Sequence, residues 1–250
     1  MAKRALITGA SSGIGRDIAK EFARRGYDLI VVARTKEKLE ELKNEVNASV
    51  EVIPMDISVK ENCIELFNRV GYVDILVNNA GFGVFGKFIA TDLDREIQLI
   101  NTNVMAVHVL TKLFLKEMVK KNSGYILNVS SIAGHLPGPL MDAYYASKSY
   151  VFVLSESINE ELKKDRLNVK VATLNPGPVR TNFNNVANVK FSMNSLSSDY
   201  VAKYTVDKLL KGKTDITPGV DIKILRVLAK IVPDNILSKF VYVRQKRKEK

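Results

Sequence analysis

Residues 4–15, RALITGASSGIG, join a short apolar run to three closely spaced glycines, and an amphipathic helical pattern follows through Arg25. The apolar run predicts a strand. Glycines at a strand–helix junction permit a tight turn and close approach of backbone to a ligand, and the helix N-terminus offers N–H groups to a pyrophosphate. Many such turns are only structural. At the first junction of a chain that alternates strands with helices, this one predicts dinucleotide binding. Gly26 stops the helix where a C-terminal glycine is expected.

The alternation continues outward from that junction. Residues 28–33 (DLIVVA) form a continuous apolar run, as expected of a strand covered on both faces. A helix is predicted over 35–47, with Thr35 as its cap and Leu39, Leu42 and Val46 inward. Further strands fall at 50–54, 73–78, 124–129 and 168–174, and helices at 58–69, 92–121 and 144–164. This order predicts an α/β fold, a Rossmann-type doubly wound parallel sheet with helices on both faces, as a single domain over 1–250. Regularity drops after Pro176. Residues 182–200 read as a substrate loop, 199–210 as a helix capped by Ser198, and 221–250 as a C-terminal helical segment with a basic tail.

The chain has 250 residues, 46% of them hydrophobic, which suffices for a buried core. Its one cysteine, Cys63, rules out an intramolecular disulfide and reads as a small buried hydrophobe. No apolar run reaches the roughly 18–20 residues that a membrane span needs, and the N-terminus leads straight into a strand, so a cytoplasmic protein is expected. The net charge is +11. From Lys203 to Lys250 there are thirteen basic and five acidic residues, so most of the surplus lies in the last part of the chain. Segment 222–243 mixes apolar residues with lysine and arginine. It either packs on the domain below a solvated tail or lies on an anionic membrane surface, although Pro233 breaks it in two. With no interleaved aromatic platform and no binding motif, nucleic acid is disfavoured. No metal site is read from the sequence.

The chemistry concentrates in residues 130–148, SSIAGHLPGPLMDAYYASK. Tyr144 and Lys148 are four apart and share one helix face, where the ammonium favours phenolate and makes Tyr144 a candidate proton donor and acceptor. Spacing alone also lets Tyr145 reach Lys148. The second strand ends in Ala33-Arg34-Thr35, without a carboxylate. The Arg34 fork suits a 2′-phosphate, which predicts NADP; the alternative is an exposed arginine at a helix start. Asp56-Ile57 follows the third strand, where the carboxylate either accepts from an adenine amine or starts the next helix. Asn78-Asn79-Ala80-Gly81 closes the fourth strand with small residues that let a ligand lie against backbone. Asn103 sits inside a long helical pattern, where an asparagine fits poorly, as an exposed amide or as a local irregularity that holds a water.

TGASSGIG, NNAG, Ser131 with Tyr144-x-x-x-Lys148, and Asn175-Pro176-Gly177 occur together and in order. In these motifs the chain resembles the short-chain dehydrogenase/reductase family over about residues 1–181. The resemblance implies an NADP(H)-dependent oxidoreductase acting on a small-molecule carbonyl or secondary alcohol. It implies that Gly9, Ser11, Ser12, Gly13, Ile14 and Gly15 wrap the pyrophosphate. Arg34 would meet the 2′-phosphate, Asp56 and Ile57 the adenine, and Asn79, Ala80 and Gly81 the adenine ribose side. Tyr144 would protonate the substrate oxygen, Lys148 would lower the Tyr144 pKa and hold the nicotinamide ribose, and Ser131 would orient the carbonyl. Asn103 would hold a relay water, and Pro176, Gly177, Val179 and Thr181 would flank the nicotinamide. The family's spacing selects Tyr144 over Tyr145 and Ser131 over Ser130, leaving Tyr145 and Ser130 as packing residues. Members of this size often close the sheet with a glycine-rich strand; none is evident here, where Ile216-Thr217-Pro218-Gly219 stands instead. The resemblance also suggests a homodimer or homotetramer packed through 92–121 and 144–164. Two alternatives remain open: a non-catalytic NADP-binding regulatory protein on the same fold, and a membrane-surface lipid or steroid carbonyl reductase.

Overall fold

The computed structural model describes residues 2–181 and 195–247. Its first half alternates strands β1 (Arg4–Thr8), β2 (Asp28–Ala33), β3 (Val50–Pro54) and β4 (Ile75–Asn78) with helices α1 (Gly13–Arg24), α2 (Lys36–Glu45) and α3 (Lys60–Val70). Then come α4 (Leu93–Ile100), a π-helical turn (Asn101–Met105), α5 (Ala106–Lys121), β5 (Gly124–Val129), α6 (Asp142–Lys164) and β6 (Val169–Leu174). Two short strands, β7 (Val179–Arg180) and β8 (Leu196–Ser197), pair with each other. After α7 (Ser198–Leu210) and β9 (Asp215–Ile216), the helices α8 (Val220–Ile231) and α9 (Asp234–Lys246) end the described chain.

Seven strands form one parallel sheet in the order β3-β2-β1-β4-β5-β6-β9. This is the doubly wound sheet expected from the alternation. Successive side chains of a strand point to opposite faces, and β1 shows the result. Ala5 and Ile7 join Ile18 and Phe22 of α1 and Val201 and Val206 of α7 in one apolar layer. Leu6, between them, joins Leu66 of α3 and Leu110 and Phe114 of α5 in the other. The strand order reverses between β1 and β4, and the crevice outside the carboxyl ends of strands at such a point is where ligands bind in open α/β sheets.

Several expectations are corrected. The sheet does gain a closing strand: Asp215 and Ile216 pair with Thr173 and Leu174 of β6. At two residues, β9 is too short for a period-two pattern to show. The cap of α7 is Ser197, whose Oγ accepts from the Tyr200 amide at 3.2 Å, and Ser198 is already helical. Residues 182–194 of the expected substrate loop lie outside the described residues. Pro233 does divide the C-terminal segment, standing as N-cap of α9. Cys63 is buried and its thiol is pushed up to about 12, chiefly by burial, as suits an inert core residue. Among the described residues, no helix is long and apolar enough to cross a membrane, and no group of three or more His, Cys, Asp or Glu side chains is placed to hold a metal.

Candidate functional site

A cavity of about 430 Å³ lies along the carboxyl ends of the central strands. Arg34, Asp56 and Ile57 line one end, and Ser131, Tyr144 and Lys148 line the other. Between them lie Gly9, Ser11, Ser12, Gly13 and Ile14 from the first turn and Asn79, Ala80 and Gly81 from the end of β4. Pro176, Gly177, Val179 and Thr181 complete the far wall. Only Gly15 and Asn103 of the predicted residues lie behind the surface rather than on it.

The first turn is built to be narrow. Gly9 has φ +67°, and a Cβ there would stand 2.8 Å from the Ala80 Cα, so a side chain would fill the space between the two strand ends. Asn79 ties those ends together: its Nδ2 donates to the carbonyl of Thr8 at 3.0 Å, and its backbone N–H donates to the Thr8 hydroxyl oxygen at 3.0 Å. Ser12 caps α1 in extended conformation with no side-chain hydrogen bond to the first turn. A helix N-terminus of this kind has the fit for phosphate, so these residues suit a dinucleotide. Arg34 is exposed at the rim. Asp56 lines the cavity and its Oδ1 also accepts from the Ser58 amide at 2.9 Å, so it shapes the turn before α3 as well as the wall.

The other end rests on β5 and α6. Ser131, just past β5, accepts from the Ala133 amide at 3.1 Å, which fixes its hydroxyl at the start of a short 3₁₀ turn. Tyr144 lies in the first turn of α6, which begins at Asp142, two residues ahead of the expected start. Burial pushes the Tyr144 phenol up to about 12, opposed by a hydrogen bond with the Ser131 side chain. The expectation that Lys148 depresses this phenol is therefore outweighed here by desolvation. Lys148 is itself buried, its Nζ donating to the carbonyl of Val129 at 2.7 Å, and burial lowers it to about 8. Its Nζ stands 5.9 Å from the centroid of the Tyr144 ring.

Asn103 sits in the π turn, which is the irregularity its poor helix fit suggested. Its Oδ1 accepts from the Phe82 amide at 3.1 Å, while Nδ2 donates to the Phe82 carbonyl at 2.9 Å and the Ser147 Oγ at 3.1 Å. It thereby straps the loop after β4 onto α6. Gly81 is what lets it come so close, since a Cβ there would meet the Asn103 Oδ1 at 2.9 Å.

The structure also brings in residues that sequence reasoning missed. Tyr145, expected to be a packing residue, lines the cavity, and its hydroxyl accepts from Gln245 Nε2 at 2.7 Å. Ser130 donates to the Lys148 carbonyl at 2.8 Å and so ties the loop to α6. Leu237, Val241 and Gln245 of α9 are buried at a spacing of four, one stripe facing the cavity. That spacing, neutral in a segment otherwise rich in lysine and arginine, was the available signal. A polar cluster anchors α8: Arg226 pairs with Asp215 and donates to the Thr217 hydroxyl at 2.7 Å. Asn175 donates to Asp215 at 3.1 Å, and the His135 Nε2 is 3.3 Å from the Asn175 Oδ1.

Comparison with known proteins agrees with this geometry. Residues 3–190 match the family model described as short chain dehydrogenase. An uncharacterized oxidoreductase of Staphylococcus epidermidis is 32% identical over 183 residues, covering 72% of this chain and 79% of that one. A short-chain dehydrogenase from Sphingobium yanoikuyae, solved in complex with NADPH, superposes with a TM-score of 0.81 at 29% identity, covering 87% of this chain and 88% of that one. A short-chain dehydrogenase/reductase from Burkholderia phymatum, solved with NAD, gives 0.82 at 25%, covering 91% and 92%. The match over three quarters of its length, on a seven-stranded sheet with this crevice, means that the chain belongs to the short-chain dehydrogenase/reductase family of oxidoreductases.

Proposed function

We propose that the protein is an NADP(H)-dependent oxidoreductase interconverting a carbonyl and a secondary alcohol, with Tyr144 as general acid and base. The observation that carries this reading is the single cavity running from the Arg34 guanidinium to the Tyr144 and Ser131 hydroxyls. A bound nicotinamide supplies or accepts the hydride at the substrate carbon. The protein's part is to hold the substrate oxygen and manage its proton. Ser131 and Tyr144 donate to the oxygen as alkoxide charge develops, and a phenol held neutral by burial is ready to give up its proton in the reductive direction. The buried Lys148 ammonium stabilises the phenolate left behind. Arg34 favours NADP through its planar fork, where no carboxylate competes for ribose hydroxyls. The relatives bind either cofactor, one solved with NADPH and the other with NAD. Consumption of NADPH and of NADH with a panel of ketones and aldehydes tests the reading, and cofactor binding without turnover across the panel would favour the non-catalytic alternative.

A second reading concerns where substrate comes from. Ile224, Val227, Leu228, Ile231, Ile236 and Phe240 of α8 and α9 are exposed beside Lys223, Lys230 and Lys239, and Phe240 also lines the cavity. An apolar face among cations favours an anionic lipid surface at the cavity mouth. Cosedimentation with phosphatidylglycerol vesicles, compared with phosphatidylcholine vesicles, tests it. Exposed Leu93, Ile97, Tyr150 and Val153 on α4 and α6 support self-association through those helices, which the mass of the species in solution decides.

A further inference from the structure

The oxidoreductase reading accounts for the cavity from Arg34 to Tyr144 and says nothing of Tyr145 and Gln245, which also line it. Gln245 is 1% exposed. Its Nε2 donates to the Tyr145 hydroxyl at 2.7 Å, and its Oε1 is buried with no hydrogen-bond partner. Native interiors leave very few such atoms unmatched, because an unpaired carbonyl out of water is costly. It sits on α9, the element whose inward stripe is otherwise apolar, Leu237 and Val241. A leucine in place of Gln245 would continue that stripe and remove the unmatched carbonyl.

The hydrogen-bonding capacity left over can be counted. With Gln245 donating to Tyr145, the Gln245 Oε1 remains as acceptor, and the Tyr145 O–H and the second amide N–H remain as donors. With the amide turned over, the tyrosine O–H donates to Oε1, leaving both amide N–H groups as donors and the phenol oxygen as acceptor. Either arrangement leaves at least one donor and one acceptor side by side. Their complement is a group that itself both donates and accepts, and a hydroxyl is the simplest. A carboxylate, which only accepts, would leave the pair's own acceptor unmatched. A bare hydrocarbon would match neither. The Tyr144 and Tyr145 rings stand with centroids 6.1 Å apart, so this second polar point lies within a small molecule's length of the reacting carbonyl.

We propose that Tyr145 and Gln245 form a substrate subsite for a hydroxyl remote from the reacting carbonyl, so that the preferred substrates are hydroxylated ketones or the corresponding diols. The proposal rests on the oxidoreductase reading of the same cavity. The test uses the full chain with NADPH and matched probes: acetophenone with its meta- and para-hydroxy derivatives, and benzylacetone with para-hydroxybenzylacetone. In the wild type the better hydroxylated probe of a pair has a kcat/KM at least about tenfold above its parent, in the range expected for leaving one buried polar group unsatisfied. In Gln245→Leu and in Tyr145→Phe that ratio falls toward one. A ratio near one in the wild type, or one that both variants leave unchanged, overturns the subsite. So does a para-carboxyacetophenone that outperforms the phenols, because it would point to an anion site.

If no ketone is turned over, the oxidoreductase reading fails by itself, and the subsite is then decided by binding. Para-hydroxyacetophenone should raise the melting temperature of the NADP-loaded protein more than acetophenone does, and Gln245→Leu should abolish the difference. Equal shifts for the two compounds overturn it.

Discussion

The Nζ of Lys148 donates to the backbone carbonyl of Val129, the last residue of β5, at 2.7 Å. This bond holds the ammonium at the strand end with its remaining donors free to serve a ligand. The same burial lowers the lysine to about 8, so it is charged below that pH and loses its charge above it. Reduction of a ketone should therefore weaken as pH rises through about 8. The fall is expected in kcat/KM for NADPH, which reports ionisation in the free enzyme. A profile that stays level well past that point would contradict the assignment.

On the proposed reading, two adjacent tyrosines separate chemistry from recognition. Tyr144→Phe removes the proton donor and should lower turnover by about three orders of magnitude, within the range for a positioned general acid. Tyr145→Phe should cost an unhydroxylated ketone such as acetophenone less than about tenfold, since it removes a side contact and no reacting atom. Single-turnover rates of both variants with NADPH distinguish them, and a larger loss in Tyr145→Phe would mean that the roles are reversed.

Arg34 is exposed at the cavity rim, so replacing it should leave folding alone and change cofactor choice. On the proposed reading, Arg34→Asp removes the cation that would face a 2′-phosphate and places a carboxylate where ribose hydroxyls would bind. KM for NADPH is expected to rise by about one to two orders of magnitude, the loss of a charge-assisted bidentate contact, while KM for NADH falls. An unchanged ratio of the two would remove Arg34 from the 2′-phosphate site.

Acid stability should carry the mark of His135. Burial, aided by the Arg226 charge, lowers its imidazole to about 4, whereas an unfolded histidine titrates near 6.5. Between those values the unfolded chain binds a proton that the folded one refuses, so stability is lost as pH falls from about 6.5 to about 4. Melting temperatures across that window should slope downward, and His135→Gln should flatten the slope. A parallel slope in the variant would assign the loss to other groups.

Much of the candidate site's layout was legible because its determinants are local. The glycine turn after β1 and the four-residue step from Tyr144 to Lys148 are each read within one element or junction. Asn103 announced its π turn through a residue type at odds with its helix. The pairing of Tyr145 with Gln245 was not legible, because they are 100 positions apart and meet only when α9 folds back over α6. No periodicity reports a contact of that separation. The strand β9 escaped notice because two residues carry no alternation, and its pairing with β6 is supported by the Arg226–Asp215 ion pair from a later helix. The rise of the Tyr144 phenol was hidden for a related reason. Spacing shows that an ammonium is near, while desolvation depends on how much surrounding chain excludes water.

The π turn has a consequence for chain length. It contains one residue more than an ordinary helical turn would use between α4 and α5, and each residue advances a helix by about 100°. The two helices are thus kept out of phase by a residue count, with no particular side chain required. Deleting one residue between Asn101 and Met105 would let the hydrogen bonds revert to the regular pattern. With Leu110 and Phe114 of α5 fixed in the core, α4 would turn by that angle, carrying the buried Leu99 outward and part of its exposed ridge of Leu93 and Ile97 toward the protein. A change invisible to composition or hydropathy would then release Phe82 from its strap and disturb the cavity wall more broadly than replacing Asn103 itself.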